Sequence, residues 1–574
     1  MKNGIQSLKK AVGLLIAGIV MMVVMAGSAM AQVELVPVGN QVYDFLKRMQ
    51  VKGIVTEFNS GALPISRDEV GAMLRKVESE KQKLSGVDKS MLEDYLVEFE
   101  YDAKGTIKDN PHLFKGNFNS DYIFGNKKQK HVYDYADSNA TFFLDVTGML
   151  SYRQSRGDSI GSNGITLGEI GFRARGTLFS SVGYYLRVSN GQKLKGEISD
   201  VDFAASTDPK LKGNTKFVNE KKNFDTYEGY LRYSTKSNWL SVTVGKEAVT
   251  DGFGYIDKMF LSTNTVPFSF AKIDLKYKSF SYSFLYGSLK GDSLGVDIPN
   301  KSIAMHRLDI HALENLRFGV YESIIISSTG FSFTYLNPLS FLISADLNSG
   351  ADETTKNNAL LGFDFEYVPV RTLAIQGTLL IDDLNFATLG SHSRNDYYGD
   401  ENKFGYQAGI YWTEAFTLPA LTLSMEYTRL DPFVYSHRSN KNGYTNWDMS
   451  LGHALQPNSD EVAVRLNWAA TNRIKLDFIY RHQRSGGGYL LDSLGKVIYN
   501  YGGDINRGDH DYDLDNSFLM GNRVNRDILT LGILVEPIKQ YYIEFRANYN
   551  IQDLQYINKT KKDFYFFLTG YIDF

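Results

Sequence analysis

The chain has no cysteine, so no disulfide can staple it, and a hydrogen-bonded framework must hold its 574 residues together. Proline is scarce at 12 residues, which leaves long stretches free to pair as strands. After the first 31 residues no apolar run reaches about 18 residues, the length a spanning helix needs, so helical membrane architectures are excluded. Neither sign of charge dominates: 62 Lys and Arg stand against 65 Asp and Glu, and nothing suggests a nucleic acid as partner. The nine histidines are scattered, and neither HExxH nor GxSxG occurs, so no set of residues selects an enzyme. His306 and His311 are five apart, on opposite faces of a strand, a poor metal pair. No metal and no cofactor is expected. Asp511, Asp513 and Asp515 alternate as in a calcium loop, but Asn516 and Asn522 stand where such a loop has Gly and Glu, and an acidic hydrated loop is the simpler reading.

What the chain has in quantity is Tyr, Phe and Gly, at 37, 36 and 51 residues. Lys2, Lys9 and Lys10 precede an apolar run from Ala11 to Met25 and then Ala29-Met30-Ala31, the pattern of an export signal over 1–31. Residues 32–105 read as a small helical bundle. Val42, Phe45, Leu46 and Met49 have helical spacing. Ser66-Arg-Asp-Glu69 forms a capping box before Val70, Met73, Leu74 and Val77. Asp88 is placed to cap a third helix carrying Met91, Leu92, Tyr95 and Leu96. A linker, 106–138, follows.

From 139 to 574 the period becomes two. Phe142, Leu144, Val146 and Leu150 share one face, and Asp145, Thr147, Ser151 and Arg153 share the other. The last strand shows it most clearly, with Phe564, Phe566, Leu568, Ile572 and Phe574 on a single apolar face. Many segments reach the roughly 9–11 residues that a tilted strand needs to cross a bilayer. Connections alternate between tight turns, as at Ser180-Ser181 and Lys278-Ser279, and long polar stretches at 190–225, 248–268, 288–304, 383–403, 430–459 and 483–526. That rhythm predicts an all-β transmembrane barrel of outer-membrane type, with about 18 antiparallel strands and the helical bundle at its periplasmic mouth. A closed barrel has no free edge, so a monomer is the default.

Mid-chain motifs add a family. The strand ending Gly245-Lys246-Glu247, the Gly252/Gly254 loop, Leu261-Ser262, Asn264, Pro267-Phe268, His306-Arg307-Leu308, Gly319, Tyr321-Glu322 and Tyr335-Leu336-Asn337-Pro338 resemble the Wzi family of capsule-assembly outer-membrane proteins. The head, from Val42 through Leu63-Pro64 to Val70, resembles that family's helical domain. The resemblance implies a barrel occluded by its own loops that holds capsular or other surface polysaccharide, with outer-membrane lipid around it and the barrel-assembly machinery as a partner during biogenesis.

Two residue sets are candidates for function. Outer loops carry Tyr397, Tyr398, Tyr435, Arg438, Lys441, Tyr444, Trp447 and Tyr489, rings and cations suited to sugar faces and uronate carboxylates. Glu169, Arg173, Arg175, Arg187, Glu228, Arg232, Arg307, Arg317 and Glu322 form a mixed-sign set expected inside the lumen, pairing and plugging it. The alternatives to polysaccharide attachment are a porin for small solutes, and an envelope tether whose helical head grips the cell wall.

Overall fold

The computed structural model describes residues 32–107, 120–291, 300–327, 333–348, 357–384, 402–437, 440–494, 497–508 and 517–574. The expected signal segment, 1–31, lies outside them. Strands of alternating polarity pair with their sequence neighbours into one closed antiparallel barrel. In chain order they are β1 (Thr141–Gly157), β2 (Gly161–Leu178), β3 (Val182–Lys195), β4 (Asn223–Ser234), β5 (Leu240–Glu247), β6 (Phe268–Tyr277), β7 (Phe280–Lys290), β8 (Asn300–Leu313) and β9 (Leu316–Ile326). They continue as β10 (Asn358–Val370), β11 (Leu373–Asp383), β12 (Lys403–Thr413), β13 (Leu421–Leu430), β14 (Ser459–Ala469), β15 (Ile474–Ser485), β16 (Val524–Ile538), β17 (Tyr541–Leu554) and β18 (Lys559–Asp573).

The ring closes where β18 meets β1, with Phe567 opposite Arg153 and Asp573 opposite Thr147. Phe574 and Val146 exchange backbone hydrogen bonds of 2.9 and 2.7 Å at the end of the seam. A short strand, Tyr133–Ala136, takes the same edge of β1 beyond that point, with Tyr133 opposite Leu144. Leu150, Ile170, Leu231 and Leu568 stand exposed on the outer wall, whereas Asp145, Arg153, Arg175 and Arg307 are buried on the inner one. Apolar outside and charged inside is the polarity that lipid on the outer wall requires.

The long connections share one end of the barrel with the short β1–β2 and β17–β18 links, and the other tight turns lie at the opposite end. The connection 196–222 carries short helices, Ser199–Ser206, Pro209–Lys212 and Thr215–Glu220. The connection 248–267 folds into the lumen, where Thr250–Asp251 pairs with Ala62–Leu63 of the head. One long connection, between β9 and β10, is not marked by the sequence periodicity. Its described part, 333–348, lies against the outside of the wall, with Tyr335 and Leu342 packed on Ala304, Ile324 and Ile326.

The head forms helices α1 (Val42–Val51), α2 (Arg67–Ser79), α3 (Gly86–Glu98) and α4 (Glu100–Lys104). Phe45, Leu46, Met49, Val70, Leu74, Val77, Leu92 and Leu96 turn their apolar faces together, each such burial being worth about 1.5–3 kcal/mol. Ala420 and Ala469, at the tight-turn end of the barrel, belong to the same core, so the head is packed onto the barrel rather than tethered to it. The capping box at Ser66 and Glu69 is present. The cap of α3 differs from expectation. Ser85 caps it, accepting from the Asp88 N–H at 3.1 Å. Asp88 is buried and instead takes Arg48 at 2.8 Å and Lys52 at 3.1 Å. A buried guanidinium needs a counter-charge more than the exposed end of a helix does.

Further polar contacts seat the head at the tight-turn mouth. Asn472 and Arg473 donate to Asp94 at 2.7 and 2.9 Å. Arg317 of the wall donates to the Thr56 carbonyl at 2.5 Å. Lys47 reaches into the lumen and pairs with Glu366 on β10.

Candidate functional site

The lumen is built around the inward connection 248–267. The Phe253 N–H donates to Asp364 Oδ2 at 2.9 Å. The N–H groups of Tyr255, Ile256 and Asp257 converge on the Glu426 carboxylate at 2.5, 2.8 and 3.1 Å. Phe260 stacks on Tyr321 of the wall, with ring centres 4.5 Å apart. Gly362 makes that approach possible, because a Cβ there would come within 2.1 Å of the Phe260 ring. The loop is thus laid against β10 and β13 by inward carboxylates and against β9 by the Tyr321 ring. Asp364, Glu366 and Glu426, with Asp382, which accepts from the Tyr435 N–H at 2.5 Å, are positioning residues that the sequence motifs do not mark. The available signal is a carboxylate on the polar face of each strand, two of them, Asp364 and Glu366, on β10.

Asp251 and Lys258 of this loop lie outside the spanning strands and carry its pH response. Burial pushes the Asp251 carboxyl from 3.8 up to about 6, against the pull of Lys272 and Arg307. Burial pushes the Lys258 ammonium from 10.5 down to about 8, against the pull of Asp251. Lys258 also donates to the carbonyls of Ser60 and Gly252 at 2.6 and 2.7 Å, tying loop to head. The docked loop holds the Asp251 proton more tightly than a released loop does, so docking weakens as pH rises from 3.8 to about 6. It holds the Lys258 proton less tightly, so docking strengthens again as pH rises from about 8 to 10.5. Each arm is worth on the order of 3 kcal/mol. Loop opening, measured by hydrogen exchange corrected for its intrinsic pH dependence, is expected to peak near neutral pH. Asp251→Asn is expected to flatten the acid arm and, by removing the carboxylate that pulls on Lys258, to start the basic arm at a lower pH; an unchanged acid arm in that variant would contradict this assignment.

The outer-loop set separates. Tyr397, Tyr398 and Arg438 lie outside the described residues. Tyr435 and Tyr444 do not offer exposed rings: both are 0% exposed. The Tyr435 hydroxyl donates to the Met259 carbonyl at 2.5 Å and the Tyr444 hydroxyl to the Phe260 carbonyl at 2.8 Å, and the two rings stack on each other. The described parts of their loop, 431–437 and 440–458, close over the inward loop, and buried carbonyls there need donors. Lys441 is exposed and Trp447 half-buried. Tyr489 is half-buried too, with the Arg507 guanidinium 4.3 Å over its ring. The Asp511–Asp515 motif lies outside the described residues, and among the described residues no group of three His, Asp or Glu is placed to hold a metal ion.

Most of the mixed-sign set lines the lumen in internal pairs. Arg173 joins Asp145 at 2.7 Å and Asp573 at 2.8 Å, bridging the closing seam. Arg175 pairs with Glu34 at 3.1 Å, Glu169 with Lys210 at 2.8 Å, and Arg232 with Asp274 at 3.7 Å. Arg307 is wholly buried between Asp309 and Asp364, at 2.8 and 3.0 Å. Arg187 and Glu228 stand in register on β3 and β4. Glu322 is the exception. In β9 it shares its phase with Phe318 and Ile324, facing outward, while Arg317 and Tyr321 face inward. The helix Leu342–Leu347 covers it, and the Ile343 N–H donates to it at 2.8 Å. A carboxylate on the outer wall has no water to face, and this helix start supplies the missing donor.

Comparison with known proteins places these features in company. The family model described as capsule assembly protein Wzi matches residues 103–550. Among solved structures, an outer-membrane protein Wzi of Escherichia coli, described as involved in group 1 capsule assembly and as a carbohydrate-binding β-barrel, superposes with a TM-score of 0.55. It is 13% identical, and the match covers 94% of this chain and 99% of that one. The outer membrane protein OprD of Pseudomonas aeruginosa gives a TM-score of 0.43 at 10% identity, covering 75% of this chain and 94% of its own. OccK8 (OprE) of the same organism also gives 0.43, at 9% identity, covering 75% and 98%. No curated protein sequence matches.

Proposed function

The chain belongs to the capsule assembly protein Wzi family of outer-membrane barrels, and from that premise we propose that it binds surface polysaccharide of capsular type and attaches it to the cell without catalysis. The family match across 103–550 is the observation that carries this reading. The binding described for the Escherichia coli protein is extended here to this chain.

The outer surface is the place to hold a polymer. The loop 248–267 and the segments 431–437 and 440–458 are held to each other and to the wall, so the groups above them have a rigid base. Lys441, Trp447 and the stacked Tyr489–Arg507 pair offer a cation and rings to sugar carboxylates and sugar faces. Several weak interactions with one repeating chain add through effective concentration, so no single one needs to be tight. The head and tight turns face the periplasm, lipid surrounds the outward faces, and the barrel-assembly machinery meets the chain during insertion. One chain makes one barrel.

Replacing Lys441, Trp447 and Tyr489 together by Ala is expected to weaken polysaccharide binding tenfold or more, at about 0.5–1.5 kcal/mol for each ring taken from a sugar face. Cell-bound polysaccharide in the native host should fall, while the folded protein, read by its heat-shifted gel mobility, stays at the parent level. Full retention by the triple variant would remove these residues from the binding surface.

A further inference from the structure

The lumen is filled on one side only. Arg307, Asp364, Gln376, Gln407 and Glu426, inward on β8 and β10–β13, are buried beneath the inward loop. Inward residues of β17 and β18, such as Arg546, Asn548 and Thr569, keep partial or full exposure. Between these strands, β1–β3 and the helices of 199–212 lies a cavity of about 1020 Å³. It runs from Ile160 at the long-loop end to Ile572 and Asp573 at the tight-turn end. Small-molecule sites occupy about 300–1,000 Å³, so this one is roomy enough for more than one sugar ring.

Its lining has the chemistry of a sugar site. Tyr565, Phe567 and Tyr571, in the inward phase of β18, make a strip of rings along one wall. Most of its charges already hold one another: Lys210 with Glu169, Arg153 with Asp208 at 2.7 Å and Arg546 with Glu544 at 3.1 Å. Arg187 is held less closely. Half-buried, it lines the cavity with Arg173 and Glu228 in register on either side, feels the Glu228 and Asp573 carboxylates without touching them, and makes no hydrogen bond or close ion pair among the described residues. Three further atoms of the lining are buried without a partner: Arg153 Nε, Asn548 Oδ1 and Asp573 Oδ1. Bare donors and acceptors are costly unless a guest rich in hydroxyls or water meets them.

We propose that this cavity is an internal carbohydrate subsite for a short oligosaccharide segment bearing a carboxylated sugar. The sugar carboxylate sits on Arg187, whose planar fork accommodates two parallel hydrogen bonds, and the sugar rings lie along the β18 aromatic strip. The inference rests on the polysaccharide reading above and deepens it, since the outer surface would capture the polymer and the lumen would hold a stretch or end of it.

The absence of cysteine makes a direct test simple. Thr569→Cys places a lone thiol in the cavity, and Lys441→Cys places one on the outer surface, each in the full-length chain. Both are labelled in membranes by a small thiol reagent, with and without short oligosaccharides cut from the host's own surface polysaccharide. The expected result is that fragments slow labelling at both positions. Reducing the fragments' carboxyl groups to alcohols, or adding Arg187→Gln, is expected to raise the concentration needed for protection at Thr569→Cys about tenfold. Protection at Lys441→Cys with none at Thr569→Cys would overturn the internal subsite and leave the outer-surface reading standing. Protection that ignores both carboxyl reduction and Arg187→Gln would overturn the acidic-sugar assignment. Protection at neither position would bring down the polysaccharide reading itself.

Discussion

Arg307→Met is expected to destabilise the folded barrel and its inward loop by about 3–5 kcal/mol. Arg307 is wholly buried, and its guanidinium binds Asp309 and Asp364 through hydrogen bonds of 2.8–3.1 Å. Asp364 in turn accepts from the Phe253 N–H, so the arginine sets the carboxylate that docks the loop. Methionine fills similar space but leaves two carboxylates buried without a counter-charge, which is the costly way to break an ion pair. Cleavage within 248–267 by added protease should rise by two orders of magnitude or more, at about 1.4 kcal/mol for each factor of ten. Asp364→Asn added to Arg307→Met should recover part of the stability by removing one orphaned charge. A single variant that resists protease as the parent does would show that the pairing is not what seats the loop.

Glu366→Ala is expected to release the helical head by a comparable amount. Glu366 accepts from Lys47 and, at 3.1 Å, from Gln50, both on α1 and both buried inside the mouth of the barrel. Burial holds the Lys47 ammonium below the ordinary lysine range, with Glu366 pulling it back up, so removing Glu366 takes away the group that keeps it charged. The lysine can then shed its proton, which places the expected cost near 3 kcal/mol, roughly the lower end for broken buried pairs. Proteolysis across 32–107 should increase roughly a hundredfold while the barrel keeps its folded gel mobility. Lys47→Met/Glu366→Met should dock better than either single change, because no buried charge is left over. Loss of the barrel along with the head would contradict the assignment of Glu366 to head docking.

Much of this fold was legible because a strand writes its face into every second residue. Asp145 and Arg153 on one phase of β1, against Leu150 on the other, already place lipid and lumen. The same rule shows why Glu322 was misplaced. Its charge suggested the lumen, but Phe318 and Ile324 share its phase, and only the helix after Phe341 explains how a carboxylate survives there. Tyr435 and Tyr444 failed for a different reason. Local sequence marks them as loop aromatics, but their partners, Met259 and Phe260, are 176 and 184 residues away. No periodicity reports a loop that folds inward onto another. Ser85 and Asp88 compete for one cap, and what decides between them is Arg48, a residue two helices earlier.

The most direct test of the central claim is made on the host. With this gene deleted, surface polysaccharide would be measured in the cell-bound and culture-supernatant fractions. If the protein attaches polymer to the cell, total polysaccharide stays constant and most of the bound fraction moves to the supernatant, returning when the parent gene is restored. An unchanged partition accompanied by reduced uptake of small solutes would contradict attachment and make this barrel a pore.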